Sequence, residues 1–167
     1  MHPAVAITPA TTDDIGEVQR LADEIWHRHY PGIITVEQID YMLGVGYSRD
    51  ALAKFLDDAN AGLALARRDG VPVGFVAWRP DAGGAMKLER LYVLPQYHGE
   101  GIGRALIDHV VSHARTARCS SLRLNVNRGN AKAIRAYERC GFAILESGDF
   151  PIGNGFVMED FIMVRDI

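Results

Sequence analysis

Cysteine is nearly absent from this chain: Cys119 and Cys140 are the only two and stand far apart. With no second pair, neither a zinc site nor a disulfide framework can be assembled, so both read as reduced, packed thiols. No apolar run approaches the roughly 20 residues that a membrane helix needs. The N-terminus shows no basic segment followed by an apolar signal core. These two absences predict a soluble, cytoplasmic protein with no membrane attachment. Basic charge is also lacking: 18 Lys and Arg stand against 21 Asp and Glu, a formal net charge of -3. That balance supplies no field for nucleic acid, and a cationic or neutral partner fits better. Repeats, linkers and low-complexity blocks are missing too. At 167 residues, 48% of them hydrophobic, the chain reads as one domain spanning 1–167 with a real core.

What is present divides into two periods. In "TTDDIGEVQRLADEIWHRHY" the residues Ile15, Val18, Leu21, Ala22, Ile25 and Trp26 recur at three-and-four spacing behind Thr11 or Thr12 as N-cap, which predicts an amphipathic helix. One or two shorter helices follow in "TVEQIDYMLGVG" and "SRDALAKFLDDA", Ser48 capping the second and Gly44 and Gly46 interrupting between them. In "GLALARRDGVPVGFVAWRP" two β-rich runs meet at Asp69-Gly70, a hairpin signal. A strand from about Met86 to Leu94, a helix from about Gly101 to Ala117, the strand "SLRLNV", the helix "NAKAIRAYERCG" and two closing strands complete the order. The expected fold class is α/β: a mixed, mostly antiparallel twisted sheet with helices on both faces, an α/β/α sandwich.

The junction "LPQYHGEGIGRAL" passes from strand to helix through Gly99, Gly101 and Gly103. A glycine-rich turn there lets backbone N–H groups approach a ligand, and the positive end of the helix dipole favours phosphate. Arg104 adds a cation. Glycine turns also serve only to reverse a chain. A Walker A loop needs Gly-Lys followed by Ser or Thr, and a dinucleotide fingerprint needs Gly-x-Gly-x-x-Gly; "GEGIG" is neither. A second cluster, "NRGNAKAIRAYERCGF", follows about 30 residues later.

Together, the "LYVLPQYHGEGIG" and "NAKAIRAYERCGF" segments make the sequence resemble the GNAT family of N-acetyltransferases over about Leu88 to Phe142. Its phosphate loop of the form Gln/Arg-x-x-Gly-x-Gly/Ala is filled here by His98, Gly99, Glu100, Gly101, Ile102 and Gly103, with histidine at the first position as a departure. Its "NxxAxxxYxxxGF" segment is filled by Asn130, Ala133, Tyr137, Gly141 and Phe142. The resemblance implies acetyl-CoA as co-substrate, its pyrophosphate on the amides of about Gly99 to Arg104. It further implies splayed central parallel strands, so that the pantetheine arm pairs with backbone around Leu91, Tyr92 and Val93.

A primary amine, with a pKa of about 10.4, reaches the site protonated and cannot attack a thioester until it loses that proton. Glu89, on the strand flanking the thioester, is the carboxylate candidate for base; an ordinary ion-paired glutamate is the alternative. In the family the oxyanion commonly meets the backbone N–H at the end of this strand, here near Val93. A phenol within reach can protonate the leaving thiolate, and Tyr137 is that candidate. Asn130 and Tyr137, seven apart, share one helix face; their bland roles are N-cap and core aromatic.

His109 and His113 are spaced i, i+4 but lack a third ligand nearby, so a solvated helix face is preferred and no metal is expected. His27 and His29 either line the acceptor pocket or sit at a helix C-terminus on the surface. Cys140 lacks a partnered base and reads as packing. "YPGIITVEQIDYML" is similar to the N-terminal region of members acting on polyamines or other small amines, and Asp23, Glu24, Glu37 and Asp40 either attract a polycation or form solvated helix surface, the more frequent fate. The expected reaction is direct acetyl transfer in a ternary complex to a small amine or polyamine. A peptide or protein amine, and a non-catalytic CoA-binding sensor, are the alternatives. The apolar "FIMV" of the last strand suits a homodimer contact or internal packing equally.

Overall fold

The computed structural model describes residues 4–167. Seven strands form one sheet: β1 (Val5–Pro9), β2 (Gly62–Arg68), β3 (Val71–Pro80), β4 (Ala85–Val93), β5 (Ser121–Asn127), β6 (Ala143–Gly153) and β7 (Phe156–Asp166). Their spatial order is β1-β2-β3-β4-β5-β7-β6, and only the β4–β5 pair is parallel. The helices are α1 (Ile15–His29), α2 (Val36–Gly46), α3 (Arg49–Asp57), α4 (Ile102–Thr116) and α5 (Ala131–Arg139).

Alternation along the central strands explains the two helical layers. Leu63, Leu65, Phe75 and Ala77 face the core under α1–α3, whereas Ala64, Ala66, Val76 and Trp78 face the core under α4 and α5. Both sets are buried, which is why "GLALARRDGVPVGFVAW" reads as nearly continuous apolar sequence. The expected sandwich is therefore the observed one.

Local differences from the sequence reading have local causes. Strand β1 was not anticipated; it is five residues long and adds to the free edge of β2 in antiparallel register, Val5 opposite Arg68. At α1 the chain enters through a 3-10 turn over Thr12–Asp14, where the Asp14 carboxylate accepts from the Thr11 amide at 2.8 Å. Helix α2 runs through Gly44 and ends at Gly46, at the junction with α3 where an interruption was expected. Ser48 caps α3 as expected, its hydroxyl accepting from Ala51 N–H at 3.1 Å. The "FIMV" segment packs within the chain: Met163 is fully buried and Phe161 lies against the core under α4 and α5.

The feature that makes a site is the parting of β4 from β5. Their pairing covers only Ala85–Ser121, Met86–Leu122 and Lys87–Arg123. In the next step of β4, Ala77 on β3 faces Arg90 and Trp78 faces Leu88, which leaves Glu89 as the extra residue of a bulge. A bulge bends its strand and increases the local twist, so β4 turns away from β5 beyond Lys87. The described residues contain no helix long and apolar enough to cross a membrane.

Phe75 is fully buried in contact with Tyr47 and Tyr92, with ring centroids 6.0 and 5.7 Å away. Phe75→Ala is expected to lower unfolding free energy by about 3–5 kcal/mol, read from the urea midpoint at constant slope.

Candidate active site

The gap between β4 and β5 opens into a cleft of about 480 Å³ that passes through the sheet from the α4–α5 face to the α1–α2 face. One end is the start of α4. Gly99 and Gly101 have φ of +81° and +82°, and a Cβ built on either, or on Gly103, meets nothing within 4 Å. The space beside this loop is thus open, and side chains are excluded from it by backbone conformation. The first intrahelical donor is Ala105 N–H, which reaches Gly101 O at 3.0 Å. The amides of Ile102, Gly103 and Arg104 therefore have no acceptor within the helix. Arg104, Lys132 and Arg139 all line this end. Free amides, a positive helix end and three cations fit a pyrophosphate. Glu100 is the one predicted loop residue that does not line the cleft; its carboxylate turns inward to Arg68 at 2.6 Å and anchors the loop.

His98 bridges the loop to the strand. A lysine ammonium can only donate, so Lys132 Nζ at 3.0 Å fixes Nδ1 as acceptor and leaves the Nε2 hydrogen to donate to Val93 O at 2.8 Å. Next comes the exposed edge of β4. Leu94 N–H donates to Val73 O, so by the alternation of an extended strand the polar groups of Val93 and Leu91 point away from β3, into the gap. Leu91, Tyr92 and Val93 line the cleft.

Helix α5 forms the opposite wall. Asn130 is its N-cap, accepting from Ala133 N–H at 3.3 Å, and its Oδ1 also takes the Nε2 hydrogen of His29 at 3.1 Å. Ala133 and Tyr137 face the cleft. Burial pushes the Tyr137 phenol above its ordinary value, with Tyr30 and Cys140 adding to the shift, so it keeps its proton and is available as a donor. Cys140 is free and packs beside it.

On the α1–α2 side the floor is aromatic. Trp26 stacks on Tyr30 at 4.5 Å and meets Tyr92 at 5.7 Å; the Tyr30 and Tyr92 hydroxyls are 3.0 Å apart. Burial raises Tyr30 to about 12. Met158 and Asp160 of β7 border this end, and the β6–β7 hairpin is pinned to α2 where Tyr41 donates to Ile152 O at 2.8 Å. His29 lines the pocket, and burial lowers its pKa, leaving the ring neutral. His27 instead spans α1 and α2, 2.9 Å from Asp40. His109 meets Trp78 edge-on at 5.5 Å and His113 lies tilted to it at 4.8 Å; His113 is exposed, as expected of a solvated face, whereas His109 is half-buried and packs. Among the described residues no group of three or more His, Cys, Asp or Glu is placed to hold a metal ion.

Two carboxylates reach the cleft. Glu89, at the bulge, is held by Arg79 at 2.6 Å and Lys87 at 3.6 Å. Asp160, on β7, was not singled out by sequence. It is 5% exposed, with Asn125 Nδ2 3.4 Å from Oδ2 and no partner for Oδ1. Burial raises its pKa, against the opposing effects of Asn125, Lys87 and Arg128. The available signal was an acid in the alternating strand "FVMEDFIMV" at a position whose neighbours on the same side face inward.

Comparison with known proteins places the chain in a family and a fold. The profile described as the acetyltransferase (GNAT) family matches residues 19–142. An uncharacterized N-acetyltransferase of Mycobacterium tuberculosis is 29% identical over 154 residues, covering 92% of this chain and 98% of the relative. A spermidine N(1)-acetyltransferase of Thermoplasma acidophilum is 26% identical over 160 residues, covering 93% and 96%. The crystal structure of the PaiA N-acetyltransferase from Thermoplasma acidophilum in complex with coenzyme A superposes with a TM-score of 0.84 at 24% identity, covering 98% of this chain and 99% of that one.

The raised Asp160 pKa has a sign that can be checked. The folded state holds this proton above the unfolded value, so ionising the group costs stability as pH rises from the unfolded value through the folded one. Asp160→Asn is therefore expected to raise the urea midpoint at pH 7.5, the gain fading as pH falls toward 4. A gain that grows on acidification would contradict the burial argument.

Proposed function

The chain belongs to the acetyltransferase (GNAT) family, an acetyl-CoA-dependent N-acetyltransferase, and on that premise we propose that its acceptor is a small amine or polyamine attacked directly in a ternary complex. Acetyl-CoA supplies the acetyl group as a thioester; the protein supplies position, hydrogen bonds and proton transfer.

One observation carries this reading: a single cleft joins the free amides of α4 to the outward-facing backbone of Leu91 and Val93 and then to the aromatic floor under α1. A diphosphate, an extended amide-bearing arm and an acceptor meet these three parts in that order. The amides and cations around Gly99, Gly101, Ile102, Gly103 and Arg104 hold the phosphate end. The backbone of Leu91 to Val93 pairs with the arm, and Asn130 and Ala133 shape the α5 wall. The Val93 N–H, facing the gap, donates to the oxygen that gains charge during attack. His98 holds the neighbouring carbonyl in place with Lys132 behind it, so histidine at the first loop position serves the strand end. Tyr137 keeps its proton until the thiolate leaves.

The aromatic character of the acceptor end favours a small amine over a protein. The rings of Trp26, Tyr30 and Tyr92 line that side, and aromatic faces attract ammonium groups. The similarity to a spermidine acetyltransferase supports the same class. Glu89 remains the first base candidate named by sequence; its carboxylate is engaged by Arg79 and Lys87.

The test is release of CoA thiol from acetyl-CoA with spermidine, amino acids and a short lysine peptide as separate acceptors. Spermidine-dependent release is expected to exceed that with peptide. Tyr137→Phe is expected to lower kcat by about 100-fold, with acetyl-CoA affinity by calorimetry little changed. Preference for the peptide would transfer the acceptor to the protein class.

A further inference from the structure

Asp160 is a buried acid whose partners are accounted for elsewhere. Of the cations nearest to it, Lys87 on β4 is engaged by Glu89 and Arg128, just after β5, by Asp149. On its own strand its cleft-lining neighbour is the thioether of Met158, held by Gln38 Nε2 at 3.2 Å. Across the cleft, from α1, the Tyr30 hydroxyl is bonded to Tyr92. From β5, Asn125 reaches one carboxylate oxygen and leaves Oδ1 buried with no donor. An ionised carboxylate in such surroundings costs folding free energy unless a donor arrives. Its position is where a donor would arrive: Asp160 pairs with Asn127 across β5 and β7, beside the stretch of β5 left unpaired by β4, and lines the cleft along with Trp26, Tyr30 and Tyr92.

We propose that Asp160 binds the ammonium group of the acceptor and takes its proton, so that the enzyme selects primary amines that enter as cations. This rests on the acetyl-transfer reading above and names its base. The step balances as follows. The ammonium gives one proton to the Asp160 carboxylate and becomes a neutral amine. The nitrogen lone pair forms the N–C bond to the thioester carbonyl, the C–S bond breaks, and its electron pair leaves on sulfur. Sulfur takes the Tyr137 proton; the second proton lost from nitrogen restores the phenol through solvent, and Asp160 releases its own to bulk water. The sum is ammonium plus acetyl thioester giving amide, thiol and one proton.

Asp160→Asn keeps size and the Asn125 contact while removing charge and basicity. Two readouts are taken on wild type, Asp160→Asn and Glu89→Gln, with spermidine as probe: calorimetric binding to the CoA-saturated protein, and kcat/KM for acetylation from pH 7 to 9.5. For Asp160→Asn, spermidine affinity is expected to fall at least tenfold with acetyl-CoA affinity unchanged. Its kcat/KM should fall about 100-fold at pH 7.5, and the deficit should shrink as pH approaches the amine pKa, where the acceptor needs no base. Glu89→Gln is expected to change either quantity less than Asp160→Asn does. Asp160→Asn within threefold of wild type in both readouts would overturn the proposal while leaving acetyl transfer intact, as would a pH-independent deficit or one matched by weaker acetyl-CoA binding. Binding of spermidine that depends on Asp160 without turnover of any amine would instead defeat the transferase reading and keep the carboxylate as an ammonium site. Absence of both binding and turnover with spermidine would overturn the assignment to cationic amines.

Discussion

Everything functional in this molecule depends on β4 and β5 ceasing to pair after Lys87 and Arg123. Parallel strands at the centre of a sheet ordinarily satisfy each other's backbone groups along their whole length, and leaving them unpaired and buried costs free energy at each residue. Here the Glu89 bulge bends β4 away, and the cost is met partly within the protein: the Val93 carbonyl finds the His98 ring. The outward-facing groups that remain border the cleft, and on the proposed reading an amide-bearing arm completes them.

The gap also joins two chemically different half-sites that the sheet would otherwise separate. On the α4–α5 face are free helix amides and cations, suited to phosphate. On the α1–α2 face are Trp26, Tyr30, Tyr92 and a buried acid, suited to an ammonium. On the proposed reading, a polyanionic donor and a cationic acceptor approach from opposite sides and meet where the strands part. On the same reading transfer is direct, and Cys140, packed against the core beside Tyr137, serves as packing.

Much of this was legible in sequence because it is written in local signals. The Asp69-Gly70 hairpin, the Ser48 cap and the three-and-four spacing of α1 are short-range effects and stand where the residues put them. The loop glycines and the Asn130, Ala133 and Tyr137 spacing identified one end of the cleft for the same reason. What escaped was long-range. Strand β1 is short, and its tie to the sheet is pairing with β2, more than fifty residues away. The Glu100 carboxylate left the loop because Arg68, distant in sequence, was there to receive it. Asp160 is one acid of a Glu-Asp pair in the sequence; only the register of β7 against β5 turns it inward beside Asn125.

That register also explains why Asp160 and Glu89 differ although both reach the cleft. Glu89 sits at a bulge near the rim, where Arg79, 57% exposed, and Lys87 can reach it without being buried themselves. Its charge is neutralised at little cost, and it stabilises the bend that opens the gap. Asp160 sits on a paired strand under α1, where the nearest cations are already engaged. A fold that needed only stability would place an apolar residue there, since burying an unpaired acid is unfavourable and replacing it is commonly stabilising. On the proposed reading the missing partner is supplied by the substrate: a cationic amine meets the buried aspartate at the oxygen that no protein donor reaches.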